Sequence, residues 1–248
     1  MTTSNNTSTT ISEPVHILTY GGGINSSALY FYIIEHSLPL DLVVFADTGA
    51  ESPTTYDAIR RMQQQCANDG KEFVAVKSKK GDMYQHYWNT KTIPTIIRRN
   101  CTTDFKIIPI RQYLRERYGK KAAFVMYVGI AWEEMHRMRD SDVNYIQNFY
   151  PLCYDKIDRE GCIRILDKYG FTAVKSGCVG CIFNRKQVWL DLKRDNPKEF
   201  ERWVLLEKNN KKYPYTFMNT RYRLADLKLT SDEEDVEHTC DIAGTCFI

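Results

Sequence analysis

Tyr20-Gly21-Gly22-Gly23-Ile24-Asn25-Ser26-Ser27 follows an apolar run at 15–19 and opens segment 26–36, where Ala28, Leu29, Phe31, Tyr32 and Ile33 give helical character. The stretch reads as strand, tight loop, helix. Glycines let the backbone approach an anion, and the amides of a helix start, aided by its dipole, favour a phosphate or pyrophosphate. The hydroxyls of Ser26 and Ser27 can add donors. No Gly-Lys-Ser/Thr ending follows and no Gly-x-Gly-x-x-Gly is present, so the loop is neither a Walker loop nor a dinucleotide fingerprint. On these residues alone, a glycine-rich turn with an N-capping serine would look the same.

Working outward, residues 42–46 repeat the strand signal as LVVFA, closed by Asp47, Thr48 and Gly49. Ser52 and Pro53 then begin a helix over 54–66. Residues 73–76 and 124–130 supply third and fourth strands. Apolar strands alternating with helices predict an α/β fold, a parallel sheet with helices on both faces. From about residue 151 the pattern turns to helices and loops, with helical stretches at 159–169 and 187–209 and the pair Cys178 and Cys181 between them. The expected organisation is a tail at 1–12, a nucleotide-binding domain at 13–150, a helical cysteine-containing region at 151–230 and an acidic cysteine-bearing tail at 231–248.

At 248 residues the chain can bury one sizeable core with a small appendage. Its 43% hydrophobic and 26% charged content is that of a globular protein, and no apolar run reaches the roughly 20 residues of a membrane span. The opening dozen residues, rich in Ser, Thr and Asn, lack the basic start and apolar centre of a secretion signal, so a cytoplasmic location is expected. A balance of 34 basic against 31 acidic residues is too even to establish nucleic-acid binding. Eight cysteines in a reducing compartment point to metal or thiol chemistry rather than a disulfide framework.

The strand-GGGINSS-helix unit resembles the PP-loop of the adenine nucleotide alpha hydrolase superfamily, which includes ATP pyrophosphatases, tRNA thiolases and phosphoadenosine phosphosulfate (PAPS) reductases. FADTGAESPTTY is similar to the DTG-x-x-x-P-x-T segment of PAPS reductases. Arg99-Asn100-Cys101-Thr102 with Lys106 and Pro109 is similar to their R-x-CT...K-x-x-P element. Gly129-Ile130-Ala131 with Glu133, Glu134, His136 and Arg137 resembles the GI-x-x-x-E-x-x-R strand end of phage-type relatives. The CVGC motif, Trp189 and the segment from Glu199-Phe200 to Glu207-Lys208 extend the likeness to the phage and prophage branch, covering most of the chain after the first dozen residues.

The resemblance implies a Rossmann-like PP-loop fold. It makes Tyr20, Gly21, Gly22, Gly23, Asn25, Ser26, Ser27, Asp47, Thr48, Gly49, Glu51 and Arg99 candidates for binding ATP, or APS or PAPS in its place. Arg98 and Lys106 are further phosphate or sulfate candidates, since Arg offers a planar fork of donors and Lys a compact charge. Asp47 and Lys106 are also catalytic candidates, although Asp47 would serve equally as a turn residue. Magnesium is implied with the phosphates.

Cys178 and Cys181, at CxxC spacing, can share one metal centre. Iron-sulfur reductases of the family carry an early Cys-Cys as well, but here Asn100 stands at the first of that pair, leaving Cys101. Cys101, Cys178 and Cys181 then suit a 4Fe–4S cluster with one open iron, as in some iron-sulfur tRNA thiolases. A fourth ligand from Cys153, Cys162 or the tail, a structural zinc, and free thiols are the competing readings. Cys66 and Cys162 read as buried apolar residues. The terminal Glu-Cys-Gly-Leu-His of authentic PAPS reductases is absent, and Cys240 and Cys246 are the tail thiols left as catalytic candidates.

The expected function is ATP-dependent adenylation of an acceptor with pyrophosphate release, supporting sulfur transfer or a related modification. The alternatives are an APS or PAPS reductase and an accessory subunit of a modification or defence complex. Expected partners are an adenine nucleotide, a nucleic-acid or small-molecule acceptor, and a sulfur-donor or thioredoxin-like protein.

Overall fold

The computed structural model describes residues 13–95, 100–218 and 222–229. Residues 1–12, 96–99, 219–221 and 230–248, which include Arg98, Arg99, Cys240 and Cys246, lie outside the described residues. In chain order the elements are β1 (Val15–Tyr20), α1 (Ile24–Glu35), β2 (Leu42–Asp47), α2 (Pro53–Asn68), β3 (Phe73–Lys77), α3 (Met83–Thr90) and α4 (Asn100–Thr102). A π-helical turn at Thr103–Ile107 leads into α5 (Ile108–Tyr118), followed by β4 (Phe124–Val128), a 3-10 turn at Trp132–Arg137 and β5 (Ile146–Phe149). Then come α6 (Pro151–Tyr154), α7 (Arg159–Lys168), α8 (Lys186–Asp195), α9 (Pro197–Asn209) and a 3-10 turn at Leu224–Asp226.

The described strands form one parallel sheet in the order β3-β2-β1-β4-β5. The order reverses at β1, which pairs with β2 on one side and β4 on the other, so a crevice opens beyond its carboxyl end. The first five residues of β2, LVVFA, are all buried, as a strand covered on both faces requires. Helix α1 is buried continuously from Asn25 to Ile33 because it lies between the sheet and α7. Helix α2 buries Thr55, Ala58, Ile59, Met62 and Cys66 on one face, and the Ser52 hydroxyl caps it by accepting from Thr55 N at 3.2 Å.

Two expectations are corrected. The helical stretch at 187–209 is two helices, because Pro197 disfavours αR geometry at Asn196, whose side chain instead caps α9 through Glu199 N. The fourth strand stops at Val128, since Gly129 must pass close to the start of α1: a Cβ there would lie 2.8 Å from Ser26 N and Cα. Strand β5 and helices α3 and α5 were not anticipated. Cys66 and Cys162 are fully buried, as expected.

A second apolar cluster carries the cysteine loop. Trp189 of α8, Trp203 of α9 and Phe217 pack with ring centroids 5.4 to 6.5 Å apart. Gly180 of the CVGC motif fits beneath Trp203, where a Cβ would be 1.9 Å from the indole. Buried Glu207 accepts from Phe217 N and Leu224 N, both at 2.9 Å. Glu207→Ala would leave two buried amides unpaired and should lower unfolding stability by about 3 kcal/mol. Urea denaturation checks this value.

Candidate functional site

The crevice beyond β1 is a cavity lined by the glycine loop, the ends of β2 and β4, and side chains from distant segments. Helix α1 begins at Ile24 with Gly23 in the N-cap position and no side-chain cap, so its first amides have no protein oxygen placed over them. Gly22, at φ 74°, is required by the backbone, and a Cβ there would meet Thr55 Cγ2 at 2.8 Å. Gly22 is therefore a conformational residue, whereas Tyr20, Gly21, Gly23, Asn25 and Ser26 line the cavity.

The two loop hydroxyls are already engaged. Ser26 Oγ donates to Gly23 O at 3.2 Å and accepts from Gly21 N at 3.3 Å, which ties the loop together. Ser27 is fully buried, and its Oγ lies 3.0 Å from the Tyr20 hydroxyl. Burial pushes that phenol's pKa up. Asn25 donates through Nδ2 to Glu134 Oε2 at 2.8 Å, and Glu134 pairs with Arg137 at 2.6 Å. Asn25 Oδ1 is left buried without a hydrogen-bond partner, an acceptor awaiting a donor.

Asp47 lies outside the cavity lining. Its carboxylate accepts from Gly49 N and from the Tyr56 hydroxyl, and pairs with Lys77 at 3.3 Å, so its contacts are those of a turn residue. Gly49, at φ 71°, sits against Asp82, and a Cβ there would overlap that carboxylate. Thr48 donates to Glu51 at 3.1 Å. Glu51, with 2% side-chain exposure, pairs with Lys106 at 3.3 Å. Burial disfavours the Lys106 charge, but the Glu51 carboxylate and the negative charge of Cys178 and Cys101 as thiolates outweigh it and hold the ammonium above the ordinary lysine range. Lys106 sits in the π-helical turn, a rare geometry often found at functional sites.

A second cavity, of about 850 Å³, is lined by Cys101, Cys178 and Cys181 and by apolar residues including Met83, Ile182, Phe183 and Leu192. Lys106, Lys175, Ser176 and Arg185 line both cavities and form their shared wall. The cysteine loop is held there by backbone pairing. Glu51 and Cys178 form an antiparallel bridge, Val179 N donates to Ala50 O at 2.8 Å, and Ser52 N donates to Gly177 O at 3.1 Å.

The three expected metal ligands thus border one cavity, but among the described residues no three Cys, His, Asp or Glu side chains are gathered closely enough to hold a metal ion. Cys153 and Cys162 lie in other clusters, and Cys153 Sγ is 3.2 Å from Ile130 O. Among the described residues no helix is long and apolar enough to cross a membrane.

Residues 15–130 match the phosphoadenosine phosphosulfate reductase domain family. This part of the chain is a PAPS reductase-like PP-loop domain. The U34-tRNA thiolase NcsA from Methanococcus maripaludis, solved with its 4Fe–4S cluster, is similar at a TM-score of 0.45 and 14% identity, over 79% of this chain and 72% of the thiolase. No curated protein matches.

Around this PP-loop domain, sequence reasoning missed Arg159, Lys175, Ser176 and Arg185 as cavity residues. Glu134 and Arg137 were visible in the GI-x-x-x-E-x-x-R segment, although their role was not. Burial raises the thiol pKa of Cys66 and Cys153 to about 11 and of Cys162 to about 12. At pH 8 about one part in a thousand or less of each is thiolate. Iodoacetamide at pH 8 should therefore label partly exposed Cys178 well before these three, as peptide mass spectrometry would show.

Proposed function

We propose that this chain is a PP-loop enzyme that binds ATP, adenylates an acceptor with release of pyrophosphate, and supports sulfur transfer or a related modification. The observation that carries the reading is the uncapped start of α1, opening into a switch-point cavity bordered by Lys106, Arg137, Arg159, Lys175 and Arg185. Backbone amides and cations converging on one point stabilise phosphate charge, and the pyrophosphate leaving group gathers such charge in the transition state. The cavity volume of about 180 Å³ suits the phosphate end of a nucleotide rather than a whole one.

Each chain residue has a defined part in this reading. The amides at the start of α1 bind the phosphates, and Arg159 and Lys175 neutralise them. Asn25, fixed by Glu134, offers Oδ1 to a donor on the ligand. Lys106 and Glu51 keep the shared wall neutral where the nucleotide approaches the thiols. Asn25 Oδ1 and Glu134 are also the oxygen donors that magnesium prefers, should the ion enter with the phosphates. Cys101, Cys178 and Cys181 have the donor type for an iron-sulfur cluster in the second cavity, where such a group would bind or activate sulfur.

Lys106→Ala is a poor probe of binding because it would strand buried Glu51 without its partner. Arg159 and Lys175 give a cleaner test. Alanine at either position should weaken ATP binding about tenfold in calorimetry while leaving adenosine affinity unchanged; equal loss for both ligands would assign them a structural role. Pyrophosphate released from ATP with a candidate acceptor marks adenylation, sulfite released from APS or PAPS marks a reductase, and neither product would mark a binding subunit. Protein purified without oxygen should contain iron and acid-labile sulfide in equal amounts, both sharply reduced by Cys178→Ser. Zinc without sulfide would replace the cluster with a structural metal.

A further inference from the structure

Both hydroxyls expected of the glycine loop already have partners in the protein. Ser26 is hydrogen-bonded within the loop, and Ser27 is fully buried against Tyr20. One hydroxyl facing the same space comes from 150 residues further along the chain. Ser176 is nine-tenths buried, lines the nucleotide cavity and makes no hydrogen bond among the described residues. Its Oγ stands 2.6 Å from the point where a Cβ on Gly23 would be, and its backbone nitrogen 3.3 Å from that point. Gly23 is the N-cap residue of α1, so Ser176 stands beside the uncapped amides.

We propose that Ser176 is a phosphate-binding residue, its hydroxyl completing from outside the loop a cradle that the loop's own serines do not supply. The placement is rigid. Gly177 O accepts from Ser52 N at 3.1 Å, Gly177 N lies 3.4 Å from Thr55 Oγ1, and Cys178 bridges to Glu51, so the two residues that follow Ser176 are fastened to the segment after β2 and the first turn of α2. The hydroxyl borders the cavity with no protein partner among the described residues, and a phosphate oxygen at the start of α1 would accept its hydrogen bond. Gly23 has an extended φ of −101° that any residue adopts, so the absence of a Cβ there has its reason in packing: it leaves room for the strap that brings Ser176 to the anion. Lys175 beside it adds charge on the same wall.

The inference rests on the nucleotide reading of the cavity and is tested by calorimetry with ATP, inorganic pyrophosphate and adenosine, on the full chain and on Ser176→Ala. A hydrogen bond to a charged group should be lost, so ATP and pyrophosphate should each bind about tenfold or more weakly, with adenosine unchanged. Ser176→Gly should behave alike and serves if the alanine variant does not fold. Affinities within twofold of the parent in a folded variant would overturn the role of Ser176 while leaving the nucleotide reading intact. Equal weakening for adenosine would overturn it in favour of a structural role. A parent protein that binds neither ATP nor pyrophosphate would overturn the nucleotide reading itself, and Ser176 with it.

Discussion

The first turn of an α-helix has amides with no intrahelical partner, and in α1 they are left uncapped at the one place where the sheet order reverses. That juxtaposition depends on how closely β4 can seat beside β1. Gly129 makes the approach feasible because any side chain there would strike the backbone of α1 at Ser26. Gly22 allows the sharp return of the chain from β1 into the helix. With these two glycines in place, the dipole and amides of α1 face a crevice rather than a neighbouring strand, and the cations gathered around it have a common target.

The thiol cavity depends on a second fastening. The cysteine loop is pinned on one side by its backbone pairing with residues 50–52 and on the other by Trp203 lying over Gly180. The same short segment after β2 therefore sets the positions of Glu51, of the strap at 175–177 and of Cys178. Lys106, paired with Glu51 at the shared wall, borders both cavities. The two sites are neighbours because both hang from the carboxyl end of β2.

Local patterning made the PP-loop half legible. Apolar strands bounded by turn residues marked β1 to β4, and Ser52-Pro53 marked the start of α2, because those signals lie within a few residues of the structure they dictate. Strand β5 was hidden: it is an edge strand of four residues, IQNF, with only Ile146 buried. The break between α8 and α9 was visible at Pro197, but the surrounding periodicity masked it. Ser27 misled because its position beside the phosphate loop suggested a ligand, whereas seven residues of separation bring it to Tyr20. Arg159, Lys175, Ser176 and Arg185 reach the cavity across more than 100 residues of chain, and no local pattern carries such contacts.

The most direct test is a crystal structure with a non-hydrolysable ATP analogue at saturating concentration. The expected result places the triphosphate against the amides of Gly23, Ile24 and Asn25, between the ends of β1 and β4. Triphosphate density at another surface, with the start of α1 empty, would contradict the assignment of this crevice as the nucleotide site.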